Sequence, residues 1–113
     1  MTQAIARPWE AKRTDESRQV EDVLRQAGFA QVDAYRYNSA SIRVRVIDRR
    51  FDGLSAEARD ALIEPHLVML PERTQADIIT LLTLAPSELF ETSKTSRERL
   101  LNLEFEDPSP SEL

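Results

Sequence analysis

The segment Ser41–Asp48, SIRVRVID, constrains this chain more than any other, because Ile42, Val44 and Val46 alternate without interruption with Arg43 and Arg45. A period of two belongs to a strand, so the branched apolar residues share one face and the two arginines share the other. The stretch Gln31–Tyr37 alternates too, and Asn38, Ser39 and Ala40 separate the runs, which predicts an antiparallel hairpin. Val32 and Ala34 then join the core, leaving Asp33, Tyr35 and Tyr37 on the outer face with Arg43 and Arg45. Such a face can stack and clamp single-stranded bases. It can equally be a set of cross-strand pairs, Tyr against Arg with Asp33 offsetting charge, worth about 0.2–1 kcal/mol each. Either way, Arg43 and Arg45 are expected to face solvent.

The rest of the chain supplies helices for the apolar face. A first helix starts at Thr14 or Asp15, places Val20, Val23, Leu24 and Ala27 on one side, and stops at Gly28 with Phe29 folding back. In FDGLS, Gly53 is expected to supply a backbone conformation that other residues resist and a close approach of strand to helix. Ser55 caps a second helix whose inner face is read as Ala58, Ala61 and Leu62. Pro65 is expected to break that helix and Pro71 to stop the short piece after it. The nearly unbroken apolar run from Asp77 to Pro86 fits a central strand covered on both faces. A last helix is expected from about Ser87 through Leu89 and Phe90 to Leu103, packing through Leu100, Leu101 and Leu103. Residues 1–13 read as a flexible arm, with Trp9 packing on the domain's own surface, 14–104 as one α+β domain, and 105–113 as a disordered acidic tail.

Composition narrows the chemistry. Without cysteine there is no thiolate ligand, nucleophile or disulfide, and His66, the sole histidine, has no serine beside it to activate. Asp60, Glu64 and His66 resemble metal-ligand spacing, but Pro65 disturbs the geometry, and no metal or cofactor is expected. The net charge of -5 is unevenly spread: residues 1–50 hold ten Lys/Arg against seven Asp/Glu, and residues 51–113 hold five against thirteen. Any basic patch is therefore local. No apolar run approaches a membrane span and the first residues lack a secretory signal's apolar stretch, so no membrane partner and a cytoplasmic location are expected.

The order helix, strand, strand, helix, broken helix, strand, helix carries two short signatures. SIRVRVIDRRFDGLSAEARDALI has Phe51, Gly53, Ser55 and Arg59 in the places of a strand followed by Phe-x-Gly-x-Ser and an Arg-containing helix. IITLLTLAPSEL has Thr83, Pro86 and Glu88 in the order of a strand running into a Thr-x-Pro-x-Glu helix start. Over about residues 16–92 the chain resembles the BolA-like family, whose fold is similar to a type II KH domain. The resemblance implies α-β-β-α-α-β-α order, a three-stranded mixed sheet with helices packed on one face, and a small non-enzymatic adaptor that partners a monothiol glutaredoxin in iron-sulfur handling. Its partner-binding residues would be Arg59, His66 and Asp77. Asp77 stands where the family places a cluster-ligating histidine, and an oxygen donor is a poor substitute there. With only Gly28 and Gly53 in the chain, the GXXG loop that clamps nucleic acid in KH domains cannot exist. The leading expectation is a protein-binding adaptor. The alternative is a KH-like nucleic-acid module using Tyr35, Tyr37, Arg43, Arg45, Arg49 and Arg50.

Overall fold

The hairpin forms as its alternation requires. In the computed structural model, which describes residues 7–89 and 96–111, β1 (Gln31–Asn38) pairs antiparallel with β2 (Ser41–Ile47), setting Asp33 opposite Arg45 and Tyr35 opposite Arg43. Val32, Ala34, Ile42, Val44 and Val46 are buried together on one face. Against them pack α1 (Asp15–Gln26) and α2 (Ala56–Leu67), followed by the short α3 (Glu72–Asp77). Thr14 and Ser17 start α1 with a reciprocal capping box, and Gly28, at φ +98°, ends it so that the Phe29 amide reaches the Leu24 carbonyl at 3.2 Å.

The third strand, β3 (Ile78–Leu84), pairs only with β2, in parallel, giving the order β1-β2-β3. The apolar run is therefore an edge strand, not the central one. Its composition reflects cover on both faces: Ile78 and Leu81 meet the main core, while Leu82 and Leu84 cluster with Ile47 on the other side. Three further expectations are corrected. Pro65 lies inside a continuous α2; its ring and Ala61, whose carbonyl loses a partner, are on the exposed side. Pro71 precedes and starts α3, a position proline favours, because the first helical amides have no partner in any case. The inward residues of α2 are Arg59 and Ile63, with Ala61 and Leu62 exposed.

A second layer closes the opposite face of the sheet. Helix α4 (Ser96–Glu106) and a 3-10 helix (Pro8–Lys12) bring Phe105 and Trp9 onto Tyr35, with ring centroids 4.8 Å apart for Phe105–Tyr35 and 5.4 Å for Trp9–Phe105. The packed domain thus begins before residue 14, and a boundary after residue 104 would cut a helix just before the buried Phe105. Residues 107–111 return across the hairpin, where Tyr37 donates to the Pro110 carbonyl at 3.3 Å. Leu100 and Leu103 point to solvent, so α4 packs through Phe105 and its polar residues instead. Pro86–Leu89 forms a separate 3-10 helix, and Phe90 lies outside the described residues.

Candidate functional site

The four residues of the expected Arg/Tyr face share the outer side of the sheet, as alternation dictates, but Arg43 and Arg45 do not face open solvent. Arg45 is 2 % exposed. Its guanidinium donates to Asp33 at 2.7 Å and to Asn102 at 2.8 Å, pairs with Glu106, and lies 4.4 Å from the centre of the Phe105 ring. Arg43 stacks 3.6 Å over Tyr37 and donates to the Tyr35 hydroxyl at 3.1 Å and to Glu104 at 2.8 Å. Strand alternation assigns a side, not an exposure, and a helix some sixty residues later has covered that side.

The electrostatics of this layer are consistent with closure. Burial pushes the Tyr35 phenol up, an effect that its hydrogen bond from Arg43 only partly opposes. Burial would also raise Glu104, but hydrogen bonds from Ser109 and the Arg43 guanidinium outweigh it and hold the carboxyl at about 2. Ser109 makes that possible by donating both its hydroxyl, at 2.6 Å, and its amide, at 2.9 Å. The Arg/Tyr face is internal structure.

Arg49 and Arg50 are exposed and differ from one another. Arg50 is tied to Asp48 at 3.1 Å and lies 4.1 Å from the Phe29 ring centre. Asp48 in turn accepts the Ala30 and Arg50 amides, at 2.9 and 2.8 Å, and with Arg50 these lower its carboxyl against the upward pull of burial. Arg49 has no ion pair among the described residues and borders a shallow cleft of about 490 Å³ with Asp52, Pro86 and Ser87.

The three expected partner-binding residues each have contacts of their own within the fold. Arg59 is buried, donating to the Leu54 and Thr83 carbonyls, both at 3.0 Å, and forking onto Glu88 at 2.7 and 3.2 Å. Glu88 also accepts the Ala85 amide at 2.6 Å. These are the signature residues themselves, and Arg59 lies 5.9 Å from the Phe51 ring centre. The two short motifs are thus two halves of one clamp joining α2 to the end of β3. Asp77 ends α3 and pairs with Arg36 at 2.9 Å, with Glu16 on the same guanidinium. His66 meets Phe29 edge-on at 5.9 Å and is partly exposed. The residues present do not fit an iron-sulfur cluster: the chain has no cysteine, the Asp77 carboxylate is engaged by an arginine, and the sole imidazole, His66, packs edge-on against Phe29. Asp60 and Glu64 gather no metal site with His66; among the described residues no group of three or more potential ligands could hold a metal ion.

Sequence reasoning missed the turn between α2 and α3, Val68-Met69-Leu70-Pro71. Val68 and Met69 are 68 % and 78 % exposed, while Leu70 turns inward. Gln75 fixes the turn from α3 by donating to the Leu70 carbonyl at 2.7 Å. The signal was present, an apolar stretch between two prolines, but it read as helix interior. Beside it on α2, Leu62 is also partly exposed.

No helix among the described residues is long and apolar enough to cross a membrane. No protein-family model matches the chain, and no curated protein does. Among solved structures it is similar to the solution structure of BolA1 protein from Mus musculus, with a TM-score of 0.54 and 18% sequence identity over 85% of this chain and 81% of that one. With the element order, the mixed three-stranded sheet and the Arg59–Glu88 clamp, that likeness assigns this chain the BolA-like fold.

Proposed function

We propose that this protein is a small BolA-type adaptor that acts by binding another protein, with the α2–α3 turn as its contact surface and no catalytic chemistry of its own. The observation that carries this reading is the turn itself. In a KH-like fold the clamp for a nucleic-acid backbone is a glycine loop between two helices, where the missing side chains let phosphate approach. Here the loop between α2 and α3 holds Val68, Met69, Leu70 and Pro71, and its two outward side chains are large and apolar. Exposed apolar groups beside polar ones favour a protein surface and repel a phosphate chain. Methionine, unbranched and polarizable, adapts its shape to such a surface.

The nucleic-acid alternative loses most of its residues. Tyr35, Arg43 and Arg45 are occupied under α4, Tyr37 is stacked on Arg43, and Arg50 is paired with Asp48, leaving Arg49 as the remaining free cation of the set among the described residues. A monothiol glutaredoxin is the partner to test first, through contacts that need no cluster ligand. Titrating it into the ¹⁵N-labelled protein is expected to shift the amides of His66 to Leu70, and Met69→Asp is expected to abolish the effect while leaving the rest of the spectrum unchanged. Shifts centred on Arg49 and the hairpin, or binding untouched by Met69→Asp, would refute this assignment.

A further inference from the structure

The two edges of the sheet are finished differently. On β1, α1 supplies caps: Arg25 donates to the Val32 carbonyl at 3.0 Å and buried Glu21 accepts the Ala34 amide at 3.0 Å. Charged side chains thereby close that edge against pairing with another chain. On β3, the Leu84 carbonyl accepts from the Asp48 amide at 3.0 Å, so Leu84 and, by alternation, Leu82 and Thr80 turn their backbone groups toward β2. Leu81 and Thr83 turn theirs outward. Arg59 takes the Thr83 carbonyl and Glu88 takes the Ala85 amide, which finishes only the last stretch of the edge. Between that clamp and the bulge at Ile79, both backbone groups of Leu81 and the Thr83 amide have no hydrogen-bond partner among the described residues. No proline or charged residue lies between Ile78 and Ala85 to blunt the edge.

We propose that the β3 edge is a peptide-binding site, taking an extended, uncharged segment of another protein as an added strand. The open backbone groups demand an extended chain, since only a strand offers donors and acceptors at a two-residue spacing. Alongside the edge runs a groove of about 260 Å³ whose walls include Leu54 and Ala56 at the start of α2 and Leu101 of α4. Those walls favour apolar side chains at alternate positions. Charge complementarity selects a neutral occupant: the groove's two ionic side chains, Arg59 and Glu88, are bonded to each other, so a charge entering it would be desolvated without a partner. The walls also favour a single strand over a second copy of this chain, whose own β3 edge carries the same flanking helices. The site lies at the opposite end of α2 from the α2–α3 turn, and neither depends on the other.

The test uses the full ¹⁵N-labelled chain and a capped heptapeptide alternating threonine and valine. Hydrogen exchange at the Leu81 and Thr83 amides is expected to slow about tenfold or more at saturation, with shift changes at Leu54 and Leu101. N-methylating alternate peptide amides on one edge removes donors and keeps the side chains; of the two possible isomers, one should bind about tenfold or more weaker and the other unchanged. Replacing the valines with glutamate should cost at least as much. In the protein, Thr83→Pro deletes one outward donor without touching the β2 ladder and should weaken binding; the peptide isomers decide the matter if that variant does not fold. Three results would overturn the proposal. They are a Leu81 amide already protected in the free monomer, a concentration-dependent dimer protecting it, and peptide shifts confined to His66–Leu70 or indifferent to N-methylation.

Discussion

Removing the Phe105 ring should open the second layer, because Phe105 is 2 % exposed and touches both other members of its cluster. Phe105→Ala deletes a buried ring and leaves a cavity, which costs about 3–5 kcal/mol. The lower end applies here, since α4 lies near the end of the chain and is free to collapse into the space. The same substitution removes the ring that Arg45 faces at 4.4 Å, so the guanidinium gains water and part of the loss is recovered. We expect a net loss of about 3 kcal/mol, or roughly 12 °C in Tm for a domain of this size. The assay follows urea unfolding by tryptophan emission and far-ultraviolet circular dichroism together. Trp9 is the only tryptophan and stands in the cluster, so emission reports this layer alone. In the variant, emission should shift red before ellipticity changes. A native protein with the emission of water-exposed indole, or a loss below about 0.5 kcal/mol, would refute the packing assigned to α4.

Further predictions concern charges and glycines. The Glu104 carboxyl lies at about 2, below its unfolded value, so it contributes stability above the unfolded pKa that is lost as pH falls from about 4.5 through about 2. Glu104→Gln should therefore be less stable at pH 7, with the difference vanishing near pH 2 in acid-unfolding curves. Asp60 is raised, first by burial and then by Glu64, so its ionisation opposes folding, and Asp60→Asn should raise Tm at pH 7 but not at pH 3. Arg59→Leu takes the guanidinium away from Glu88 and from the Leu54 and Thr83 carbonyls and should cost about 3–5 kcal/mol, with part restored in the double variant Arg59→Leu, Glu88→Leu, as measured by urea midpoints. Gly28→Ala and Gly53→Ala should cost similar amounts, about 1–2 kcal/mol each, since both have positive φ and neither has an atom within 4 Å of an added Cβ.

That last prediction corrects the sequence-based expectation of a tight approach at Gly53: its need is conformational, at φ +76°, and the space around it is open. The contrast shows what was legible. The hairpin register and the cap at Thr14 follow from local periodicity and local hydrogen bonds, so the sequence displays them directly. Helix α4 was legible as a helix but not as a cover, because its leucines at 100 and 103 face solvent while Asn102, Glu104, Phe105 and Glu106 face the sheet. A pattern search for an apolar stripe finds the wrong side of it. Arg59 carried a similar disguise: a charged residue in a helix reads as surface until the distant Glu88 and the Thr83 carbonyl are placed around it. The α2–α3 turn was hidden for the opposite reason, its apolar residues reading as core although a turn between two helices presents them outward.

The Arg/Tyr face of the sheet is internal structure and not a ligand surface. The most direct test of this is fluorescence anisotropy with a labelled twelve-nucleotide single-stranded RNA, titrated at several salt concentrations against the protein and its Arg43→Gln, Arg45→Gln variant. Unstructured RNA that meets several arginines binds with an affinity that falls steeply as salt rises, because counterions are released. The native protein is expected to show no saturable binding even at low salt. Saturable binding that weakens with salt, and is lost in the variant while its Tm is kept, would contradict it.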